Sequence, residues 1–292
     1  MQPSFRGARD VLSVTFLLLL ITGSASAQLV TENAGTVSPE TPLARLVINA
    51  AQWRHVDEFS AVGEFHYGFH PRFEGSVSVP FIYRYFEIGN NDDEEIAGFG
   101  DVALKGKVVV HKEDGVMTSM RTAVLAGIEF PTGKWDDRIG DATEPYARKL
   151  QLGSGTFDFT LGLAFTYIND RHRIAIDALG RASTSRDNVS PGPVLRVDLA
   201  YWFRLFPAVF EPGESGMELR LVVDAWYLHR YHTRGEKLDD SGDQVWLAPG
   251  LQFYATNWLL LEGNAAYALM DTTDDEYGRA RWSAFVAVKI LF

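Results

Sequence analysis

The side chains able to do chemistry in this sequence are mostly charged, and within each segment they recur at even spacing: Lys105 with Lys107, Asp177 with Arg181, Arg196 with Asp198 and Arg204, Arg220 with Asp224 and Arg230. Even spacing places side chains on one face of an extended strand. Arg84, Arg121, Asp158 and Glu262 fall on the polar face of their own segments in the same way. Two readings of this face stay open. In one, Arg121, Arg181, Arg196, Arg204, Arg220 and Arg230 form a basic stripe facing Asp158, Asp177, Asp198 and Asp224, and a solute passes through the transverse field. In the other, the same groups pair with one another and fill a narrow lumen, which lowers the cost of burying them.

Other chemistry is weaker. Cysteine is absent, which removes thiolate catalysis, disulfides and Cys-ligated zinc. The acidic runs Asn91-Asp92-Asp93-Glu94-Glu95, Asp239-Asp240-Ser241-Gly242-Asp243 and residues 271–276 hold oxygen ligands, but none has the spacing of a calcium loop, so they read as solvated loops. His229 and His232 are three apart, a spacing that joins side chains on a helix and separates them on a strand. Ser183 and Ser185 form no nucleophile motif with either histidine. Gly98-Phe99-Gly100-Asp101-Val102-Ala103 fits a dinucleotide fingerprint but opens a strand with no helix after it. The expectation is a protein that is not an enzyme, with no cofactor and no metal.

The elements that carry these residues are strands. In residues 156–167, Phe157, Phe159, Leu161, Leu163, Phe165 and Tyr167 alternate with Asp158, Thr160, Gly162, Ala164 and Thr166 over a length sufficient to cross a bilayer. Similar strands read at about 58–69, 73–86, 98–110, 118–130, 173–183, 194–206, 217–231, 245–255, 258–270 and 281–292. The last alternates Trp282, Ala284, Val286, Val288 and Ile290 against Arg281, Ser283 and Lys289, and ends on Phe292. A soluble β-sandwich would turn its apolar face inward. That much charge cannot occupy a dry core, so the polar face must line a lumen and the apolar face must meet lipid. Aromatics gather at strand ends, as at Tyr83 and Tyr85, Tyr201 and Phe203, and Tyr227 and Tyr231, like interfacial girdles.

Connections alternate between tight turns, at His70-Pro71-Arg72, residues 111–115, 169–172 and Thr256-Asn257, with residues 207–216 a longer exception, and long polar stretches at 87–98, 131–155, 184–193, 232–244 and 271–279. Outer-membrane barrels are built this way, with the short turns periplasmic. Because the strand at 58–69 runs into a short turn, another must precede it, and residues 43–53 are the candidate despite poor alternation. The count is then about twelve, within ten to fourteen. The long segment 131–155 could fold inward as a constriction, with Lys134, Trp135, Asp136, Arg138 and Tyr146 as the residues of interest.

Residues 1–27 read as a signal peptide, with Arg6 and Arg9 before an apolar run at 11–21 and Ala25-Ser26-Ala27 at the cleavage site. Residues 28–42 carry no periodicity and are expected to be a flexible periplasmic lead, leaving 43–292 as the barrel. The formal net charge of −11 argues against nucleic acid as a partner.

Phe73-Glu74-Gly75-Ser76-Val77-Ser78-Val79-Pro80, Gly98-Phe99-Gly100-Asp101-Val102, Phe130-Pro131-Thr132-Gly133 and Leu152-Gly153-Ser154-Gly155-Thr156-Phe157-Asp158-Phe159 together resemble the outer-membrane family associated with the meta-pathway of phenol degradation. The resemblance implies a Gram-negative outer-membrane, porin-like protein with a part in uptake of hydrophobic or aromatic compounds, and it transfers no catalytic residues. The sequence reading is therefore an antiparallel up-and-down transmembrane β-barrel acting as a channel or transporter for small solutes. A salt-bridged, plugged structural barrel with interacting acidic loops is the alternative, and an outer-membrane lipid hydrolase the third. Expected partners are outer-membrane lipid and lipopolysaccharide, the barrel-assembly machinery through Phe292, and a small-molecule solute.

Overall fold

The computed structural model describes residues 31–53, 56–86, 94–137, 151–209, 216–235, 241–273 and 279–292. Its strands are β1 (Pro42–Trp53), β2 (Val56–His70), β3 (Phe73–Phe86), β4 (Glu94–Phe99), β5 (Val102–Gly115), β6 (Thr118–Phe130), β7 (Asp158–Asn169), β8 (His172–Ser183), β9 (Val194–Phe206), β10 (Glu218–Arg230), β11 (Gly242–Tyr254), β12 (Leu259–Asp271) and β13 (Ala280–Leu291). Apart from β4 and β5, which do not pair with each other, each pairs antiparallel with its sequence neighbours, and β1 closes the ring against β13 from Leu43↔Leu291 to Trp53↔Ala280. β4 and β5 both pair with β3, β4 against Phe81–Phe86 and β5 against Phe73–Ser78. They are two halves of one stave broken at Gly100-Asp101, so the closed barrel has twelve staves.

Burial follows the period-two pattern. On β7 Phe159, Leu161 and Leu163 are exposed outward, whereas Asp158 and Thr166 are buried inward. β9 repeats this with Leu195, Val197 and Leu199 outside and Asp198 and Trp202 inside. An apolar outer face this continuous would be a liability in water and is stable against hydrocarbon. β1 is a full stave despite its weak alternation, because its inner face mixes Arg45, Val47 and Asn49.

Two expectations need correction. Residues 111–115, read as a turn, belong to β5 beyond a bulge between Val109 and His111, and the turn is Val116-Met117 with Met117 at φ 61°. Residues 28–42, read as a periplasmic lead, run differently where they are described: residues 31–37 lie inside the barrel and reach β1 by way of its short-turn rim. Glu40 N donates to Gly68 O at 3.0 Å, and a Cβ on Gly68 would meet Ser38 O at 2.5 Å, so only glycine lets the two backbones approach this closely. Lacking alternation the segment cannot join the sheet, but its polar Thr31-Glu32-Asn33 suits a polar lumen.

Candidate functional site

The lumen is the site, and its wall is built of charges placed by alternate strand positions. On β1, β2, β12 and β13 they form one network. Arg45 Nη1 donates to Glu64 at 2.9 Å, while Arg45 Nη2 and Lys289 Nζ both reach Glu262 at 3.0 Å. Gln252 Nε2 donates to the second Glu262 oxygen at 2.8 Å. The Glu262 side chain is fully buried, so this pairing is what makes the burial tolerable.

On β8, β9 and β10 the pattern is layered instead. Each inner face reads arginine, aspartate, arginine: Arg173, Asp177, Arg181; Arg204, Asp198, Arg196; Arg220, Asp224, Arg230. Asp177 stands directly across the ladder from Asp198, and all three aspartates are buried. The acids thus form a mid-lumen belt between two arginine belts on one wall, an arrangement unlike the basic stripe facing acids that one of the two sequence readings describes. Arg196 pairs with Asp198 at 2.8 Å, Arg220 with Glu218 at 2.6 Å and Arg204 with Asp170 at 2.7 Å. Arg181 lies 3.8 Å from Asp158.

Residues 31–37 dock against this wall. The Glu32 amide donates to Asp177, and Lys105 pairs with the Glu32 carboxylate. Ala34 N donates to Thr166 Oγ1 at 3.0 Å, Lys107 Nζ to Asn33 O at 3.1 Å, and Val37 N to Glu74 at 2.8 Å. Ala34 is fully buried in a small apolar patch with Val109, Ala123, Leu125 and Ala164. The segment therefore occupies the short-turn half of the lumen.

The long-loop half is shaped by a knot that joins three of the glycine motifs read in the sequence. Asp101, at the broken stave, accepts Gly133 N at 2.8 Å and Ser154 N at 2.5 Å. Gly100, Gly133 and Gly153 pack backbone to backbone: a Cβ on Gly133 would meet Gly153 Cα at 2.8 Å and Gly100 C at 2.9 Å. The knot turns the return limb of the long loop into the mouth, where Gln151 O accepts Arg84 Nη1 at 2.5 Å and Leu152 is buried. Arg84 also donates to Glu58 at 2.6 Å. Above the docked segment and beneath this limb lies a cavity of about 410 Å³, lined by Arg84, Lys105, Arg181, Arg196, Asp158 and Leu152 among others.

Arg84, Lys105, Lys107, Arg121, Asp158, Asp177, Arg181, Arg196, Asp198, Arg204, Arg220, Asp224, Arg230 and Glu262 occupy inward positions of their strands. Of the loop residues, Trp135 packs against Gly155 with Arg186 3.8 Å above its ring, and Lys134 pairs with Asp137, whose hydrogen bond holds the ammonium above its usual range. Asp136 is exposed, and Arg138 and Tyr146 lie outside the described residues. The inward group is thus Gln151-Leu152 rather than Trp135. Inward residues missed in the sequence include Arg45, Glu58, Glu74 and Arg173; the signal for Arg173 was its spacing of four from Asp177 and eight from Arg181.

His229 Nδ1 lies 2.8 Å from Asp243, which also accepts Tyr227 Oη at 2.6 Å, whereas Ser183 lines the cavity on a strand separated from β10 by β9. Among the described residues no group of His, Cys, Asp or Glu is placed to hold a metal ion. Asp92, Asp93, Asp239, Asp240, Asp274, Asp275 and Glu276 lie outside the described residues.

A family model described as "Putative MetA-pathway of phenol degradation" matches residues 31–284. Among solved structures, an outer-membrane channel from Pseudomonas putida F1 is similar at TM-score 0.66 and 12% identity, covering 89% of this chain and 98% of that one. NanC porin gives TM-score 0.50 at 9% identity, covering 85% and 98%. The β domain of the Bordetella autotransporter BrkA gives 0.50 at 13%, covering 87% and 100%. At these identities the likeness is one of fold. No curated protein sequence matches.

Proposed function

The chain belongs to this phenol-degradation-pathway family, and from that membership and the charged lumen we propose that it is a channel of the Gram-negative outer membrane for small solutes, aromatic compounds among them. The observation that carries the reading is a closed barrel, apolar outside, whose charged inner wall encloses a cavity of about 410 Å³. In this reading residues 1–27 are a cleaved signal and the short turns face the periplasm. Solute enters from the long-loop side, meets Arg181 and Arg196, and must pass residues 31–37 to leave. Phe292, whose amide bonds Pro42 O at 3.0 Å at the barrel seam, serves as the signal for the assembly machinery.

The plugged structural barrel is the second reading, favoured by the buried Arg45–Glu64–Glu262–Lys289 network and the docked segment. The separation of Ser183 from His229 weighs against a lipid hydrolase. Swelling of proteoliposomes in isosmotic small solutes discriminates between the two readings. A channel swells in small phenolic or benzoic solutes faster than protein-free vesicles do; a plugged barrel matches them.

A further inference from the structure

The short-turn half of the lumen holds donors that the chain itself does not use. Arg173, on β8, forms no hydrogen bond or ion pair among the described residues, and its Nε is buried without an acceptor. Its guanidinium lies 4.8 Å over the ring of Trp202, its direct ladder neighbour on β9. Trp202 is 3% exposed, and its indole N–H also lacks an acceptor. Arg121, inward on β6, has a buried Nε in the same condition and only a distant carboxylate, Asp114 at 3.8 Å. Arg220 stands two positions below Val222, the ladder partner of Trp202.

A buried donor left without an acceptor keeps its full desolvation penalty. Arg173 and Trp202, stacked on each other, each keep one such donor, and that pair describes a place for an acceptor. Stacking uses the face of the Arg173 guanidinium and leaves its edge N–H groups for a bidentate contact, the geometry that carboxylates fit. Charge sets the valence. Arg220 is matched by Glu218 at 2.6 Å and Arg204 by Asp170 at 2.7 Å, while among the described residues no acid lies within ion-pair distance of Arg173. One unmatched cation calls for one negative charge.

We propose that Arg173 and Trp202 form a binding site for a small monocarboxylate at the short-turn end of the lumen, with Arg121 two ladders away on the same inner wall. The site rests on the lumen reading, and it gives the solute class a chemistry: an aromatic or aliphatic acid held by its carboxylate, with the Trp202 surface beside it.

Calorimetric titration of the refolded full-length mature barrel with sodium benzoate tests this without requiring current, so failure of the site and failure of the channel are separable. Benzoate is expected to bind saturably, and benzyl alcohol and inorganic phosphate at least tenfold more weakly. Arg173→Gln should weaken benzoate at least tenfold and Arg173→Lys less. Should Arg173→Gln fail to fold, as judged by heat-modifiable migration on gels, Trp202→Phe keeps the ring and removes the donor, and should weaken binding about threefold. Absence of saturable benzoate binding, or affinity unchanged within twofold in these variants, would overturn the site. Phosphate binding as tightly as benzoate would overturn the monocarboxylate assignment.

Discussion

Replacing Glu262 by alanine removes a fully buried carboxylate that holds two cations at once. Its oxygens accept Arg45 Nη2 and Lys289 Nζ at 3.0 Å and Gln252 at 2.8 Å. Arg45, 5% exposed, would retain Glu64; Lys289, 21% exposed, would face Arg45 with no acid between them. Breaking a buried pair from one side costs about 3–5 kcal/mol, because the surviving charge is left uncompensated. Partial hydration of Lys289 places the expected loss near the lower end, about 3 kcal/mol, or roughly a hundredfold in the folded-to-unfolded ratio. Urea unfolding of the barrel in lipid vesicles, followed by tryptophan fluorescence, measures it. Adding Lys289→Ala to Glu262→Ala should recover part of the loss, a coupling that a double-mutant cycle isolates. A loss below about 0.5 kcal/mol, the range of ordinary surface substitutions, would refute the reasoning and mean that the lumen solvates these charges freely.

The knot at the broken stave yields two further expectations. Asp101→Ala removes an ionised acceptor from two backbone amides and should cost about 1.5–3 kcal/mol per bond to the docking of the long loop, read as faster proteolysis within residues 131–155 while the barrel stays heat-modifiable. Gly153→Ala would place a Cβ 2.5 Å from Gly133 C and O and should destabilise the same loop by about 1–3 kcal/mol, measured by the same digestion; wild-type resistance in either variant would show that the loop is held elsewhere.

Much of the barrel could be read from the sequence, because a wall with lipid on one side and charge on the other imposes strict alternation. β7 and β9 carry that alternation in nearly every residue. β1 did not, since Val47 and Asn49 share its inner face, and its place followed from parity alone. What alternation cannot encode is how neighbouring faces meet. Whether Asp177 opposes an arginine or another aspartate depends on register and barrel shear, so the belt with Asp198 emerged only from the ladder. The glycine motifs were visible as residues, but their convergence on Asp101 joins segments 32 and 53 positions away. Residues 31–37 were misplaced because a segment without periodicity carries no mark of where it goes; its match to the lumen lies in single polar contacts with Asp177, Thr166 and Glu74.

In the proposed reading, residues 31–37 narrow the channel from within. Single-channel conductance in planar bilayers, comparing the mature barrel with one lacking residues 28–36, tests it most directly. A lumen narrowed in this way gives a small steady current from the intact barrel and a several-fold larger one from the shortened barrel, with both folding to heat-modifiable forms. Equal currents from the two, or silence from both when folded and inserted, would contradict it.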